Sequence, residues 1–154
     1  MSTIVGTNIE VTNLKYDSDT TSMIISNTGQ VTIQGEGTAT TNLQQGLAKA
    51  WYNLNANAAS LRDSFNIGSI TDEGTGEYEG NFTTAMSNEN YSANGTNSTK
   101  GTTNAYSFII STGDQLNTYG LHSTASIRTN CWAETTQALA DPDMVQVSVH
   151  GDLA

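Results

Sequence analysis

The sequence predicts an all-β protein, an antiparallel β-sandwich of jelly-roll-like type preceded by a short N-terminal β-hairpin. Thr, Asn, Ser and Gly dominate the composition, whereas the helix formers Leu, Glu, Lys and Arg are scarce. Thr favours strands through its branched Cβ, and Asn and Gly adopt the turn conformations that join strands. Short segments of alternating apolar residues, closely spaced and without intervening helices, indicate a sandwich or an open barrel.

The chain divides into two predicted parts, an N-terminal hairpin and linker over residues 1–42 and a β-sandwich head domain over 43–154. A first strand is expected within residues 4–11. Residues 35–42 are rich in Gly and Thr, a composition typical of a linker. The helical periodicity of residues 43–50 is weak and interrupted by a glycine, so we expect one or two helical turns there.

The hairpin is predicted where Asn27-Thr28-Gly29 separates two short apolar segments. A three-residue loop that ends in Gly suits a type I turn closed by a left-handed residue. This turn places Ile25 opposite Val31 and Met23 opposite Ile33, so the apolar side chains share one face. One hairpin is marginal in water, so we expect this part to lie on another chain or on the head domain.

Roughly seven strands of ordinary length are predicted in the head domain. In the last of these, Val145, Val147 and Val149 should face the core and the polar residues between them should face outward. Gly80 lies between two aromatic residues and should leave room for a neighbouring ring. The segments that carry the strand pattern are 49–54, 60–65, 67–71, 77–84, 90–93, 106–110, 125–127 and 145–149.

The net charge is −10, from 15 acidic and 5 basic residues. A domain this acidic repels phosphate backbones, so nucleic acid is not an expected partner. No segment approaches the roughly 18 apolar residues that a membrane-spanning helix needs, so membrane insertion is not expected. The N-terminal residues have no signal-peptide pattern, which predicts synthesis in a cytosol.

The single cysteine excludes an intramolecular disulfide framework. Cys131, beside Trp132, is predicted to be a small buried hydrophobe. His122 and His150 are too few to form a zinc site with it unless chains meet at a symmetry axis, so a metal on such an axis stays open. We expect no cofactor, because no phosphate-binding loop is present and residues 74–76 suit a hairpin turn.

Paired acidic residues are the remaining candidates for catalysis. Glycosidases place two acids across a cleft that is normally walled by aromatic residues. Here each pair lies in or beside a predicted turn, where acids are ordinarily solvated, so we expect no enzymatic activity. The last pair could bind calcium but lacks the spaced oxygen ligands of a dedicated loop. The pairs are Asp17/Asp19, Asp72/Glu73, Glu77/Glu79 and Asp141/Asp143.

Two polar segments are the predicted binding surface. Residues 94–104 read as a long exposed loop, and 113–121 as a second one; long loops are often functional. Exposed Trp and Tyr can stack on sugars; core packing is the favoured interpretation for Trp51, while Trp132 stays open. The candidate receptor-binding residues are Asn94, Asn97, Thr99, Lys100, Asn104 and Tyr119.

Four stretches of the head domain carry a family resemblance. They read KAWYNL at 49–54, LRDSFNIGSITDEGTG at 61–76, NFTTAM at 81–86 and DPDMVQVSVHGD at 141–152, with Asn90-Tyr91 following the third. These stretches resemble the C-terminal head module of bacteriophage tail-fibre and virion appendage proteins. The resemblance extends over about residues 49–92 and 141–154, and the residues between are unmatched.

The resemblance implies a non-enzymatic structural protein at the virion surface, made in the host bacterial cytoplasm. It implies a homotrimer in which residues 1–42 bind other virion proteins and the head is displayed, with a host surface glycan or protein as the candidate receptor. A short tail fibre, a tail-tip knob or a capsid decoration would fit. The alternative is a carbohydrate-binding or polysaccharide-degrading domain, which an acid pair in an aromatic groove would favour.

Overall fold

The computed structural model describes residues 13–15, 21–34, 40–98, 106–111 and 123–154. The chain separates into two compact units, an N-terminal unit (Met1–Leu47) and a sandwich unit (Ala48–Ala154). The strand predicted within residues 4–11 lies outside the described residues. In the part of the chain that is described, no helix is long and apolar enough to cross a membrane.

The N-terminal unit contains an antiparallel sheet followed by one helical turn. Its strands are β1 (Asn13–Lys15), β2 (Thr21–Ile25), β3 (Val31–Gln34) and β4 (Thr40–Asn42), and its helix is α1 (Leu43–Gly46). The strands pair in chain order, β1-β2-β3-β4. The unit is therefore a simple meander, in which each connection joins neighbouring strands.

The predicted hairpin is confirmed in its register. Met23 pairs with Ile33 and Ile25 with Val31 between β2 and β3. Gly29 closes the turn with φ of 78°, the left-handed conformation that Gly adopts at low cost. The turn residues and the apolar alternation were sufficient to specify this pairing because both act over short distances along the chain.

The linker predicted over residues 35–42 is wrong for its last three residues. Thr40–Asn42 forms β4, in which Thr40 pairs with Gln34 and Asn42 with Thr32. Polar, β-branched threonines are compatible with an edge strand once β3 offers its hydrogen-bonding groups. The Asn42 side chain then caps α1 by accepting a hydrogen bond from the Gln45 backbone N–H at 3.2 Å, which stabilises the expected single turn.

The sandwich unit consists of two antiparallel sheets packed face to face, as the sequence predicted. One sheet has the strand order β6-β5-β13-β9 and the other β7-β8-β11-β10, with β12 paired beside β11. The strands are β5 (Ala50–Asn55), β6 (Ser60–Phe65), β7 (Ile67–Gly74), β8 (Glu77–Phe82), β9 (Ser92–Asn97), β10 (Tyr106–Ser111), β11 (Ser126–Ala133), β12 (Ala138–Leu139) and β13 (Val145–His150).

The two central strands of the first sheet alternate between core and surface. Val145, Val147 and Val149 are 0%, 3% and 1% exposed, which confirms their predicted inward direction. On β5 the buried positions are Ala50, Tyr52 and Leu54, and the residues between them are partly exposed. Because successive strand residues point to opposite faces, this sheet has one core face and one outer face.

Tyrosine hydroxyls connect the two sheets inside the core. The Tyr52 hydroxyl lies 3.2 Å from Thr129 Oγ1, and the Tyr78 hydroxyl oxygen lies 3.1 Å from the carbonyl oxygen of Ala56. Burial raises the pKa of both tyrosines well above the usual range, so the hydroxyls stay neutral. A Cβ at Gly80 would lie 3.0 Å from Cε1 of Tyr52. The predicted space for a ring beside Gly80 is therefore confirmed.

Candidate binding groove

The loop predicted over residues 94–104 begins later than expected. Asn94 and Asn97 lie in β9, where they pair with Ser148 and Val145 of β13. The segment is polar, but strand pairing uses backbone groups, and β13 offers a free edge to it. The other candidate receptor-binding residues lie outside the described residues, and so does His122; those candidates are Thr99, Lys100, Asn104 and Tyr119.

The outer face of the sheet β6-β5-β13-β9 presents two rows of side chains that run across the strands. In each row, every residue is paired directly with the row residue on the neighbouring strand. The first row is Phe65, Trp51, Ser148 and Asn94, and the second is Asp63, Asn53, Gln146 and Thr96. Each row combines residues from parts of the chain that are far apart in sequence, so neither row is visible as a motif.

A groove of about 480 Å³ lies on this face. It is lined by both rows except Phe65, together with Tyr52, Gly95 and Val147, and we call it the outer-face groove. Its size is within the roughly 300–1,000 Å³ of small-molecule sites. The two rows contribute to it one indole, three carboxamides, one carboxylate and two hydroxyls, a set with many hydrogen-bonding groups and one large apolar surface.

Trp51 is a lining residue of the groove, and the prediction that it packs in the core is wrong. Its neighbours Ala50 and Tyr52 are the buried ones, so the indole of Trp51 lies on the outer face. Trp132, which the sequence left open, is 38% exposed on β11 of the other sheet. The inward valines of β13 could have indicated this direction, because Trp51 pairs with the outward Ser148.

Hydrogen bonds orient the amides of the groove. The Ser148 hydroxyl donates to Oδ1 of Asn94 at 2.9 Å, which fills one of the two acceptor sites of that oxygen and leaves the Nδ2 hydrogens as donors. Arg62 Nη1 donates to Oδ1 of Asn53 at 3.4 Å, with the same consequence for Asn53. Asp63 accepts from the Ser64 backbone N–H at 2.8 Å and keeps further acceptor capacity. The groove therefore offers N–H donors beside a carboxylate acceptor.

Some of the acidic residues outside the groove form hydrogen bonds that stabilise the fold. Asp141 was expected to be solvated, but its Oδ1 accepts from the Gly76 backbone N–H at 2.6 Å and from the Tyr78 hydroxyl at 2.8 Å. Asp143 accepts from Asn57 Nδ2 at 2.7 Å. Asp141 thus ties the β7–β8 turn to the segment before β13.

Glu79 forms a second polar network, on β8. Its carboxylate accepts from the Ser126 hydroxyl and lies 3.4 Å from Arg128, which also lies 3.5 Å from Glu73. Burial acts to raise the pKa of Glu79, but the Ser126 hydrogen bond and the Arg128 charge outweigh it and lower the pKa below its ordinary value. Glu79 is therefore a charged structural group, not a proton donor near neutral pH.

Cys131 is fully buried, which confirms the prediction for this residue. Burial raises the pKa of its thiol to about 11, so the reactive thiolate is disfavoured. Within the described ranges, no group of three or more His, Cys, Asp or Glu side chains could hold a metal ion. A metal on a symmetry axis stays a prediction, since one of the two histidines lies outside those ranges.

No protein-family model matches the chain, and no curated protein or solved structure is significantly similar to it. The resemblance to phage head modules therefore stays a prediction from short stretches of sequence. The two-unit organisation and the outer-face groove are the observations on which a functional proposal can rest.

Proposed function

We propose that this chain is a non-enzymatic bacteriophage virion protein that displays the sandwich unit at the particle surface. It is a homotrimer that residues 1–42 attach to other virion proteins, as a short tail fibre, a tail-tip knob or a capsid decoration. The sandwich unit contacts the host surface. This proposal combines the sequence resemblance with the geometry of the groove.

The observation that carries the proposal is that the two resembling regions, 49–92 and 141–154, form one framework. β13 pairs with β5 over five residue pairs, from Val145–Leu54 to Val149–Ala50. The chain end returns to the first region, because the Ser87 N–H donates to the Asp152 carbonyl at 2.8 Å. Both stretches lie in the compact unit Ala48–Ala154, as the parts of one module must. Their contact supports a single module.

The N-terminal unit supports attachment through residues 1–42. None of its described side chains is buried, and Ile24 and Ile25 of β2 are 40% and 38% exposed. Exposed apolar side chains on short strands suit pairing with another chain. A partner that covers these side chains would supply the burial that the described residues of this unit lack.

The groove supports binding over hydrolysis. Asp63 is the single carboxylate among the described residues that line it. Glycoside hydrolysis normally needs two carboxyl groups that flank the scissile bond. Asp141 and Glu79, members of the predicted acid pairs, are held in structural hydrogen bonds. Substrate cleavage would need an acid partner for Asp63 that the described lining does not offer.

Mass spectrometry of purified phage particles, with cryo-EM to locate the protein, tests the proposal. We expect the chain at a fixed copy number that is a multiple of three. A variant without residues 1–42 should keep a folded sandwich and be missing from particles. Absence of the intact chain from particles, or a stable 16.3 kDa monomer in sedimentation at micromolar concentration, would contradict the proposal.

A further inference from the structure

We infer that the outer-face groove binds a neutral saccharide, a pyranose unit without charged substituents. The inference rests on the proposed function for the source of the sugar, a glycan of the host surface. The chemistry of the groove itself carries the ligand class.

Trp51 supplies the surface on which a sugar ring can stack. A pyranose has a face of C–H groups that packs against an aromatic ring, and tryptophan offers the largest such ring. The indole is partly exposed and lies on β5, between Phe65 of β6 and Ser148 of β13. A position on a paired central strand holds the ring at a fixed place, which lowers the entropy cost of binding.

The polar lining matches the hydroxyl groups of a sugar. Asn53 and Asn94 supply amide N–H donors to the lining, and the oxygen of each accepts one hydrogen bond, from Arg62 and Ser148 respectively. Asp63 presents a carboxylate acceptor on the same row as Asn53. Each sugar hydroxyl both donates and accepts, so neighbouring hydroxyls can bridge an amide and a carboxylate. Donors and acceptors in one groove with an indole suit this ligand class.

The charge of the groove selects neutral sugars over acidic ones. Asp63 is the one charged side chain among the described lining residues, and the whole chain carries a net charge of −10. Uronic acids, sialic acids and phosphorylated sugars would be repelled. Arg62 is a neighbouring cation but not one of the lining residues. Its Nη1 donates to Asn53, and its Nη2 donates to the carbonyl oxygen of Asp143 at 3.0 Å.

A protein ligand suits the groove less well. Protein interfaces have an apolar core from which charged residues are depleted. Here Trp51 is the one large apolar side chain of the described lining that is partly exposed, since Tyr52 and Val147 are 2% and 3% exposed. A small polar ligand with one apolar face fits this balance better than a peptide side chain does.

Tryptophan fluorescence of the full chain tests the inference directly, because the chain contains two tryptophans. The Trp132→Phe variant leaves Trp51 as the single tryptophan, and Trp51→Phe leaves Trp132; excitation at the red edge of the absorption band avoids the 6 tyrosines. Both are titrated with methyl glycosides of neutral hexoses and of N-acetylhexosamines. We expect a saturable change for Trp132→Phe with at least one glycoside and no change for Trp51→Phe.

Binding to a dense glycan array gives a second measurement, in which a multivalent surface strengthens weak contacts. Trp51→Ala should reduce binding at least about tenfold, as expected for loss of a central aromatic contact. Asp63→Asn should also weaken binding. The matched control, Trp132→Ala, removes an exposed tryptophan from the other sheet and should bind as the wild type does. Thermal unfolding of each variant shows whether the fold is kept.

Three results would overturn the inference. They are no response to any neutral sugar in either assay, an equal loss in Trp51→Ala and Trp132→Ala, and preferred binding of acidic glycans that weakens with salt. The particle measurement separates this inference from the proposed function. A chain that is present in virions but binds no sugar refutes the groove assignment alone, while sugar binding by a chain absent from virions refutes the virion role alone.

Discussion

The two units of this protein use the same strand pattern but differ in what the pattern buries. In the sandwich unit, Tyr52 and Leu54 are 2% and 0% exposed, covered by the facing sheet. In the N-terminal unit, Ile24 and Ile25 occupy an equally well-paired strand, yet they are 40% and 38% exposed. The difference is the second layer, which the sandwich unit has within itself.

The two units show that an alternating strand pattern can determine which strands pair without burying the apolar side chains of those strands. A sheet becomes stable when its apolar face packs against another layer, and a single layer is marginal in water. The N-terminal unit has correct turn chemistry and register without such a layer among its described residues. Its stability is therefore expected to depend on a partner, which is the physical basis of the proposed attachment role.

Separating the units between Leu47 and Ala48 is expected to give the largest effect. Residues 48–154 alone should keep a cooperative thermal transition, because the buried core lies within them. Residues 1–47 alone should show none, as followed by circular dichroism. A cooperative transition of residues 1–47, under conditions where sedimentation finds a monomer, would show that this unit has a core of its own. The proposed difference in burial between the two units would then be wrong.

Two glycines with the same backbone conformation compare the units at single sites. Gly29 in the N-terminal unit and Gly76 in the sandwich unit have φ of 78° and 73°. A Cβ at Gly29 would meet nothing within 4 Å, whereas at Gly76 it would lie 2.7 Å from Ala140 N and from the Cys131 carbonyl oxygen. The left-handed conformation alone costs a non-glycine residue about 1–2 kcal/mol.

Gly76→Ala should therefore lower the free energy of unfolding of the sandwich unit by about 3 kcal/mol or more, the conformational cost plus overpacking. Gly29→Ala serves as the matched variant and should leave the main transition close to that of the wild type. Urea denaturation measures both. Similar losses of unfolding free energy for the two variants would mean that the backbone atoms around Gly76 move to accommodate a methyl group, and that the close packing at this site is not rigid.

The features that the sequence predicted are those that neighbouring residues determine. The register at Ile25 and Val31 follows from a three-residue turn and local alternation. The inward direction of Val147 and the space beside Gly80 follow from the same period of two. In these cases the relevant information lies within ten residues of chain.

The features that were missed depend on partners distant in sequence. Asn94 forms a strand because β13 pairs with it across about fifty residues. Asp141 becomes structural because its side chain meets Gly76 of a turn 65 residues away. Trp51 is an exception, because the alternation of Tyr52 and Leu54 with the polar Asn53 is a local signal for its outward direction. Trp51 and Asn94 both line the groove, so it was not predicted as a site.

Two adjacent residues of β13 allow the core face of the sheet to be compared with its outer face. Val147 is 3% exposed in the core, and Gln146 lies on the outer face. Val147→Ala should lower the free energy of unfolding by about 2 kcal/mol, through lost burial and the cavity left behind. Gln146→Ala should change it by less than about 0.5 kcal/mol. Equal losses in chemical denaturation would mean that the outer face is packed as tightly as the core, which would leave no open groove.

The smallest expected effect concerns Glu79, whose carboxylate holds Ser126 and Arg128 on the outer surface of the second sheet. The pKa of Glu79 is lower in the folded protein than in the unfolded chain. The charged carboxylate therefore contributes stability above the ordinary carboxyl pKa of about 4.3, and this contribution is lost as the pH falls through the folded-state pKa. Glu79→Gln should remove it.

The measurement is the free energy of unfolding of the wild type and of Glu79→Gln between pH 7 and pH 3. The wild type should be the more stable at pH 7, and the difference should shrink below about pH 4.3 as Glu79 becomes protonated. Glu89→Gln, at an exposed position before β9, is the control for the loss of one negative charge. A difference that stays constant with pH would show that the shape of the Glu79 hydrogen bonds, and not the charge, stabilises this sheet.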